Sequence, residues 1–158
     1  MRLSTKGQYA VRAMVNLACH TGVKPVTLKD IAVQECISLS YLEQLFVKLR
    51  KGGIVKSVRG PGGGYVLGKP ASEISVGEVI FVVEEPLNPV ACLDDDSTPC
   101  DRASKCTTQK VWKRLAEKMA EFLNSVTIED LSIEAKAINS GGPKAGRTVC
   151  AVEQKGGF

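Results

Sequence analysis

From Thr5 to His20 the apolar residues Ala10, Ala13, Met14, Leu17 and Ala18 recur three and four positions apart. This is the pattern of a helix with one buried face, and Gly22 and Pro25 end it. Thr27-Leu28-Lys29-Asp30 reads as a capping box opening a short second helix, with Leu28 and Ile31 turned inward and a turn near Cys36. Ser40-Tyr41-Leu42-Glu43 has the same pattern, and Leu42, Leu45, Phe46 and Leu49 give the third helix its buried stripe before Gly52-Gly53. The period then changes. Ile54 to Val58 and Tyr65 to Leu67 read as two short strands around the turn Arg59-Gly60-Pro61-Gly62-Gly63-Gly64. Ser75-Val76-Gly77-Glu78 caps a further helix bearing Val79, Ile80 and Val83. From Glu84 to Lys105 periodicity lapses amid Pro86, Pro89, Pro99 and the run Asp94-Asp95-Asp96, which predicts a loop. A long helix follows from about Thr107 to Asn124. Its seam of Trp112, Leu115, Met119, Phe122 and Val126 suits packing against a partner helix. Thr127-Ile128-Glu129-Asp130 caps one more short helix.

Helix, short helix, turn, capped helix and hairpin is the order of a winged helix-turn-helix. The predicted fold is mainly α with a small β-hairpin, followed by a long dimerisation helix. The chain divides into a DNA-binding domain over 1–83, a cysteine-containing loop over 84–106, and the dimerisation helix with a short successor over 107–138. The Gly- and Lys-rich stretch 139–158 is expected to be disordered.

Charge sharpens this picture. Residues 1–70 hold eleven Lys or Arg against three Asp or Glu, a balance of +8, whereas residues 71–158 hold ten against fourteen, a balance of −4. A basic half joined to an acidic half suggests that the first half meets a polyanion. No apolar run approaches the roughly 18 residues that span a bilayer, and the N-terminal residues lack the apolar core of a secretory signal. The expected location is the cytoplasm, with no membrane partner.

The face of the third helix opposite its buried stripe carries Ser40, Glu43, Gln44, Val47, Lys48 and Lys51, and its first turn adds Ser38 and Tyr41. Hydroxyls and an amide at a helix N-terminus can bond to phosphates or base edges. Gln44 can pair bidentately with adenine, and Glu43 can accept from a cytosine amino group. A carboxylate facing DNA repels phosphates, so Glu43 favours sequence choice over raw affinity; the alternative is that it only completes a cap with Ser40. At the hairpin tip Gly60, Pro61 and Gly62 offer backbone without bulk, and Arg59 stands where a cation enters a narrow minor groove. The alternative there is a plain tight turn. Gly63 to Lys69 matches the first seven positions of a phosphate-binding loop, but the eighth is Pro70 and a strand occupies the middle. A nucleotide site is excluded.

Six cysteines are many for a small chain expected in a reducing compartment. Cys92, Cys100 and Cys106 lie in one loop, separated by seven and five residues. Zinc sites usually show a Cys-x-x-Cys hook, which is absent here, while iron–sulfur clusters are held by thiolates at looser spacing. On the residues alone a cluster, zinc, redox thiols or no function all stay open. Cys19 and Cys36 read as small core residues and Cys150 as a spare tail thiol. A thiol oxidoreductase would need a Cys-x-x-Cys, a paired histidine or a nucleotide loop, none of which is present.

Three stretches carry a resemblance: Met1 to Gly7 with Tyr9-Ala10-Val11, Ile37 to Phe46, and Ser57 to Tyr65. They resemble the iron–sulfur cluster regulators, the IscR group of the Rrf-type winged-helix transcription regulators, with NsrR and RirA as relatives. The likeness covers roughly residues 1–135. It implies a homodimer joined through the long helix and bound to a promoter palindrome in double-stranded DNA. It also implies a cluster, two-iron or four-iron, on Cys92, Cys100 and Cys106 that controls which promoters are bound. One departure stands out. The IscR group has a histidine ligand three residues after the third cysteine, where this chain has Gln109. The nitric-oxide-sensing relatives use a carboxylate from the partner's first helix, and the matching residue here is Gln8. The fourth ligand is therefore unassigned, with Asp101, one of Asp94 to Asp96, a thiol or water as candidates.

Overall fold

The computed structural model describes residues 3–20, 22, 24–84, 87–94 and 100–141. Among the described residues six α-helices run in chain order: α1 (Thr5–Cys19), α2 (Leu28–Glu35), α3 (Leu39–Lys51), α4 (Val76–Glu84), α5 (Gln109–Ser125) and α6 (Ile128–Gly141). Between α3 and α4, β1 (Val55–Val58) and β2 (Gly64–Leu67) pair antiparallel, with Val55 opposite Leu67 and Val58 opposite Gly64. The winged helix-turn-helix expected from the pattern is present, with the hairpin as its wing.

The caps explain most boundaries. Thr27 begins α2 by accepting from the Asp30 N–H at 3.2 Å while donating its hydroxyl to the Asp30 carboxylate at 2.7 Å. Ser75 Oγ accepts from the Glu78 N–H at 3.1 Å and starts α4. Thr127 and Asp130 form a reciprocal box at the start of α6, at 3.0 and 3.1 Å. The Thr127 N–H and hydroxyl hold the Asp130 carboxyl below its usual range. The third helix departs from expectation: its cap is Ser38, whose Oγ accepts from the Tyr41 N–H at 3.3 Å. Ser40 lies inside the helix, so Ser40 and Glu43 do not form the predicted box. The residue with extended backbone just before the first helical turn takes the cap, and that residue is Ser38, with φ −63° and ψ 140°.

α1 is the centre of the molecule. Its Ala10, Ala13 and Met14 are fully buried, and α2, α3, α4, α6 and β2 all pack on it. Phe46 of α3 is fully buried and meets Tyr65 of β2 edge to face at 4.8 Å, which joins the third helix to the wing. A further strand-like contact, invisible in the pattern, secures the wing from the other side: Val26 and Tyr65 exchange N–H···O bonds at 3.0 and 2.8 Å. α6 is longer than the short helix expected and runs to Gly141. Its entry is stitched to the start of α4 and the residues just before it by bonds from Val76 N to Val126 O and from Ile128 N to Ile74 O. Ile128 joins the core. Most of the stretch expected to be disordered, from residue 142 on, lies outside the described residues, as does Cys150.

Cys19 is half-buried with its thiol toward the Ser132 carbonyl at 3.8 Å, and burial pushes its pKa up. Cys36 corrects the sequence reading. It is exposed and sits in the left-handed region at φ 55°, because the tight turn between α2 and α3 needs a positive φ after the last helical residue.

Phe46 has no route to relax if truncated, since helix, wing and α1 surround it. Phe46→Ala should lower stability by about 3–5 kcal/mol, measured by urea unfolding; a loss below about 1 kcal/mol would show that wing and helix are joined by other contacts.

Candidate nucleic-acid interface and cysteine loop

α3 turns Leu42, Leu45, Phe46 and Leu49 into the core, which leaves the opposite face outward. Ser40, Glu43 and Gln44 are exposed on that face. With the cap assigned to Ser38, Glu43 does not serve as the partner in a capping box with Ser40. Tyr41 is placed differently from a free contact residue. It is half-buried, with its ring edge-on to Tyr9 at 5.7 Å. Its hydroxyl pKa is raised by burial first, then by Tyr9 and Glu84. Ser38 is exposed, but its oxygen is engaged in the cap. Lys48 is exposed as a residue, yet its Nζ donates to the Val83 carbonyl at 3.0 Å in a part-buried bond.

Arg59, Gly60, Pro61 and Gly62 form the exposed tip of the wing. The tip is a turn closed by a bond from Gly63 N to Gly60 O at 2.9 Å. Gly60 and Gly62 have φ of 100° and 74°, a region costly for residues with a Cβ. A Cβ on Gly63 would lie 2.3 Å from the Val58 carbonyl oxygen. The glycines are thus required by the turn itself, and the case for groove contact rests on Arg59 and the exposed tip rather than on glycine content.

Behind the outward face a polar seam fixes α2 against α1. Arg12 donates to the Glu35 carboxylate at 3.3 Å and to its carbonyl, and its guanidinium lies over Tyr9, 5.4 Å from the ring centre. Asn16 Nδ2 donates to Gln34 and Glu35 side chains at 2.9 Å each. Sequence reading missed this seam because its partners are separated by some twenty residues and share no motif. His20 takes no part in the cysteine loop: its Nδ1 pairs with the Asn16 carbonyl at 2.8 Å at the end of α1.

The cysteine loop leaves α4 at Glu84. Cys92 is exposed on a 3₁₀ turn, Ala91–Leu93. Asn88 pins that turn by donating to Leu93 O and to the Asp94 carboxylate at 3.0 and 2.9 Å. Cys100 is exposed, and Cys106 is half-buried just before α5. The Cys106 thiol pKa is lowered, chiefly by the Thr108 hydroxyl 3.3 Å away and then by the Gln109 and Thr108 N–H groups at the helix start. Among the described residues no three His, Cys, Asp or Glu side chains converge on one point, and residues 95–99 lie outside them. The structure therefore does not bring the three thiols together. Their chemistry still suits iron and sulfide: three soft sulfur donors, two of them exposed and the third with its pKa lowered. Gln109 opens α5, and no histidine stands nearby in the sequence.

α5 has no fully buried residue. Val111 and Phe122 are 56% and 66% exposed. Together with Trp112, Leu115 and Met119 they leave an uncovered apolar stripe. Between α5 and α4 lies an open cleft of about 580 Å³ bordered by Ile80, Phe81, Leu87, Ala120 and Leu123. No helix among the described residues is long and apolar enough to cross a membrane.

Comparison with known proteins accords with this architecture. The family described as "Iron-dependent Transcriptional regulator", Rrf2, matches residues 3–134. The HTH-type transcriptional regulator IscR of Pectobacterium atrosepticum is 48% identical over 139 residues, covering 88% of this chain and 84% of the relative. Its counterpart in Photorhabdus laumondii is 47% identical over 142 residues, covering 90% and 85%. Among solved structures, T. potens IscR superposes with a TM-score of 0.72 at 38% identity, covering 90% of this chain and 94% of that one. CymR, the global cysteine regulator of B. subtilis, gives 0.69 at 40% identity, covering 85% and 98%. These relatives are named regulators rather than enzymes, and with a family match spanning winged domain, cysteine loop and long helix, the chain belongs to the Rrf2 family of iron-dependent transcriptional regulators and is a DNA-binding protein.

Proposed function

We propose that this regulator is a homodimeric, cytoplasmic repressor whose promoter binding is controlled by an iron–sulfur cluster on Cys92, Cys100 and Cys106. The observation that carries this reading is the placement of three thiols on the segment joining the DNA-binding domain to α5. A bound cluster supplies a centre that oxygen, nitric oxide or iron shortage can remove. The chain's part is to convert the order of this segment into the spacing and tilt of two copies of α3. Palindromic half-sites about 34–36 Å apart accept only matching pairs. In this reading Ser40, Glu43 and Gln44 choose bases, Ser38 and Lys48 meet phosphates, Tyr41 supports the first turn, and Arg59 to Gly62 enter the minor groove. The depressed Cys106 thiol favours a second reading, the same DNA-binding dimer with a zinc or thiol-redox site.

Anaerobic purification separates the two. A brown protein with iron and acid-labile sulfide is expected, with promoter affinity that changes when the cluster is removed. Colourless protein holding stoichiometric zinc, or equal binding of every promoter with and without cluster, refutes cluster control.

For the wing, Arg59→Ala is expected to weaken specific DNA binding by about 1–3 kcal/mol. Unchanged affinity in a fluorescence-anisotropy titration would reduce the hairpin to a turn.

For the dimer, a charge placed in the α5 stripe must be buried without a partner if two copies meet there. Phe122→Glu should sediment as a monomer where the wild type sediments as a dimer, with the helical content of both alike. A dimeric variant rules out α5 as the joint.

A further inference from the structure

The last turn of α4 is where α1, α3 and the root of the cysteine loop meet. From α3, Lys48 Nζ donates to the Val83 carbonyl at 3.0 Å. That carbonyl is among the last four of its helix, which have no partner within it. α4 has no basic residue in its own last turn, so the negative end of its dipole is met by a cation from the neighbouring helix. Near the end of α3, Gly52 lies so close that a Cβ there would touch Val82 Cγ1 at 2.9 Å. On the other side Glu84 lies against α1: its Oε2 is buried without a hydrogen-bond partner, and a Cβ on Gly7 would be 2.7 Å from it. Beyond this turn Leu87 packs on the core and the chain reaches Cys92.

Lys48 also belongs to the outward face of α3. Ser40, Gln44 and Lys48 are spaced by four residues and form one row. One ammonium group thus reaches the end of α4 from the row that faces DNA.

We propose that Lys48 is the positioning residue that couples the cysteine loop to the recognition helix, its ammonium shared between the Val83 carbonyl and a DNA phosphate. A shift at the end of α4 moves the carbonyl, frees or redirects Lys48, and alters how α3 is seated. Linkage makes the effect reciprocal: DNA on α3 must change the freedom of the loop root. The inference rests on the DNA-binding reading above, and not on what the three thiols hold.

The test is amide hydrogen exchange on the full chain, with and without a saturating duplex selected by the wild type from a random pool. In the wild type, DNA should slow exchange across residues 80–94 by about fivefold, the low end of typical coupling. Lys48→Met removes a phosphate contact and should bind more weakly, so its duplex concentration is raised until the wing, residues 55–67, is protected as fully as in the wild type; at that matched occupancy residues 80–94 should no longer respond. Lys48→Arg, which keeps a charged donor, should restore the response. A merely structural lysine would give the same DNA response at 80–94 in wild type and Met variant, and that result overturns the proposal. So does a wild type that binds duplex without any change at 80–94. Lys48→Gln serves in place of the Met variant if that variant fails to fold. Failure to select any duplex is a separate outcome, and it removes the DNA-binding reading together with this one.

Discussion

Everything in this fold depends on how closely other elements can approach α1. Gly7, Ala10, Ala13 and Ala18 present little side-chain bulk, and all four are buried. α2, α3, α4, α6 and the wing can therefore gather around one short helix. The arrangement leaves little slack. A Cβ at Gly7 would collide with Glu84, and Met14 and Leu17 fill the remaining volume. Close-packed interiors of this kind resist continuous deformation and shift between discrete arrangements. A displacement at one edge of α1 is consequently passed to another edge instead of being absorbed.

That property gives the outward face of α3 its meaning. The helix is clamped between Tyr65 of the wing, Tyr9 of α1 and the last turn of α4. Ser40, Glu43 and Gln44 project from a packed helix, the kind of support that their proposed base-reading role requires. The wing strand is braced as well, since Val26 pairs with Tyr65 near the start of β2. The segment carrying Cys92 begins at one of these clamps, and α5 begins three residues after Cys106. The proposed sensor therefore touches both levers that set the geometry of a DNA-bound dimer: the seat of each recognition helix and the joint between copies.

The two candidate sites were legible to different degrees. The outward face of α3 follows from its buried stripe, because the 3.6-residue period fixes what faces away. What periodicity could not give was the state of each side chain on that face. Tyr41 is tied to Tyr9, Lys48 to Val83, and Ser38 rather than Ser40 makes the cap. Each of these depends on a neighbour distant in sequence or on the backbone angle of a single residue. The cysteine loop was legible as a set of donors only. Their spacing marks them as a group, but a shared site requires a fold of the intervening chain that no local rule supplies.

Alone, the chain's pattern of apolar residues determined six helices, a hairpin and their order, since secondary structure follows from local period and caps. It also determined which half of the chain is basic and placed three cysteines in one loop. Tertiary structure decided that Val26 braces the wing, that α6 returns to α1, that Cys36 lies at an exposed left-handed turn, and that the recognition helix is fastened to the root of the cysteine loop. The reason is one of range: caps and periods act over three or four residues, whereas these contacts join positions brought together only when α1 is surrounded.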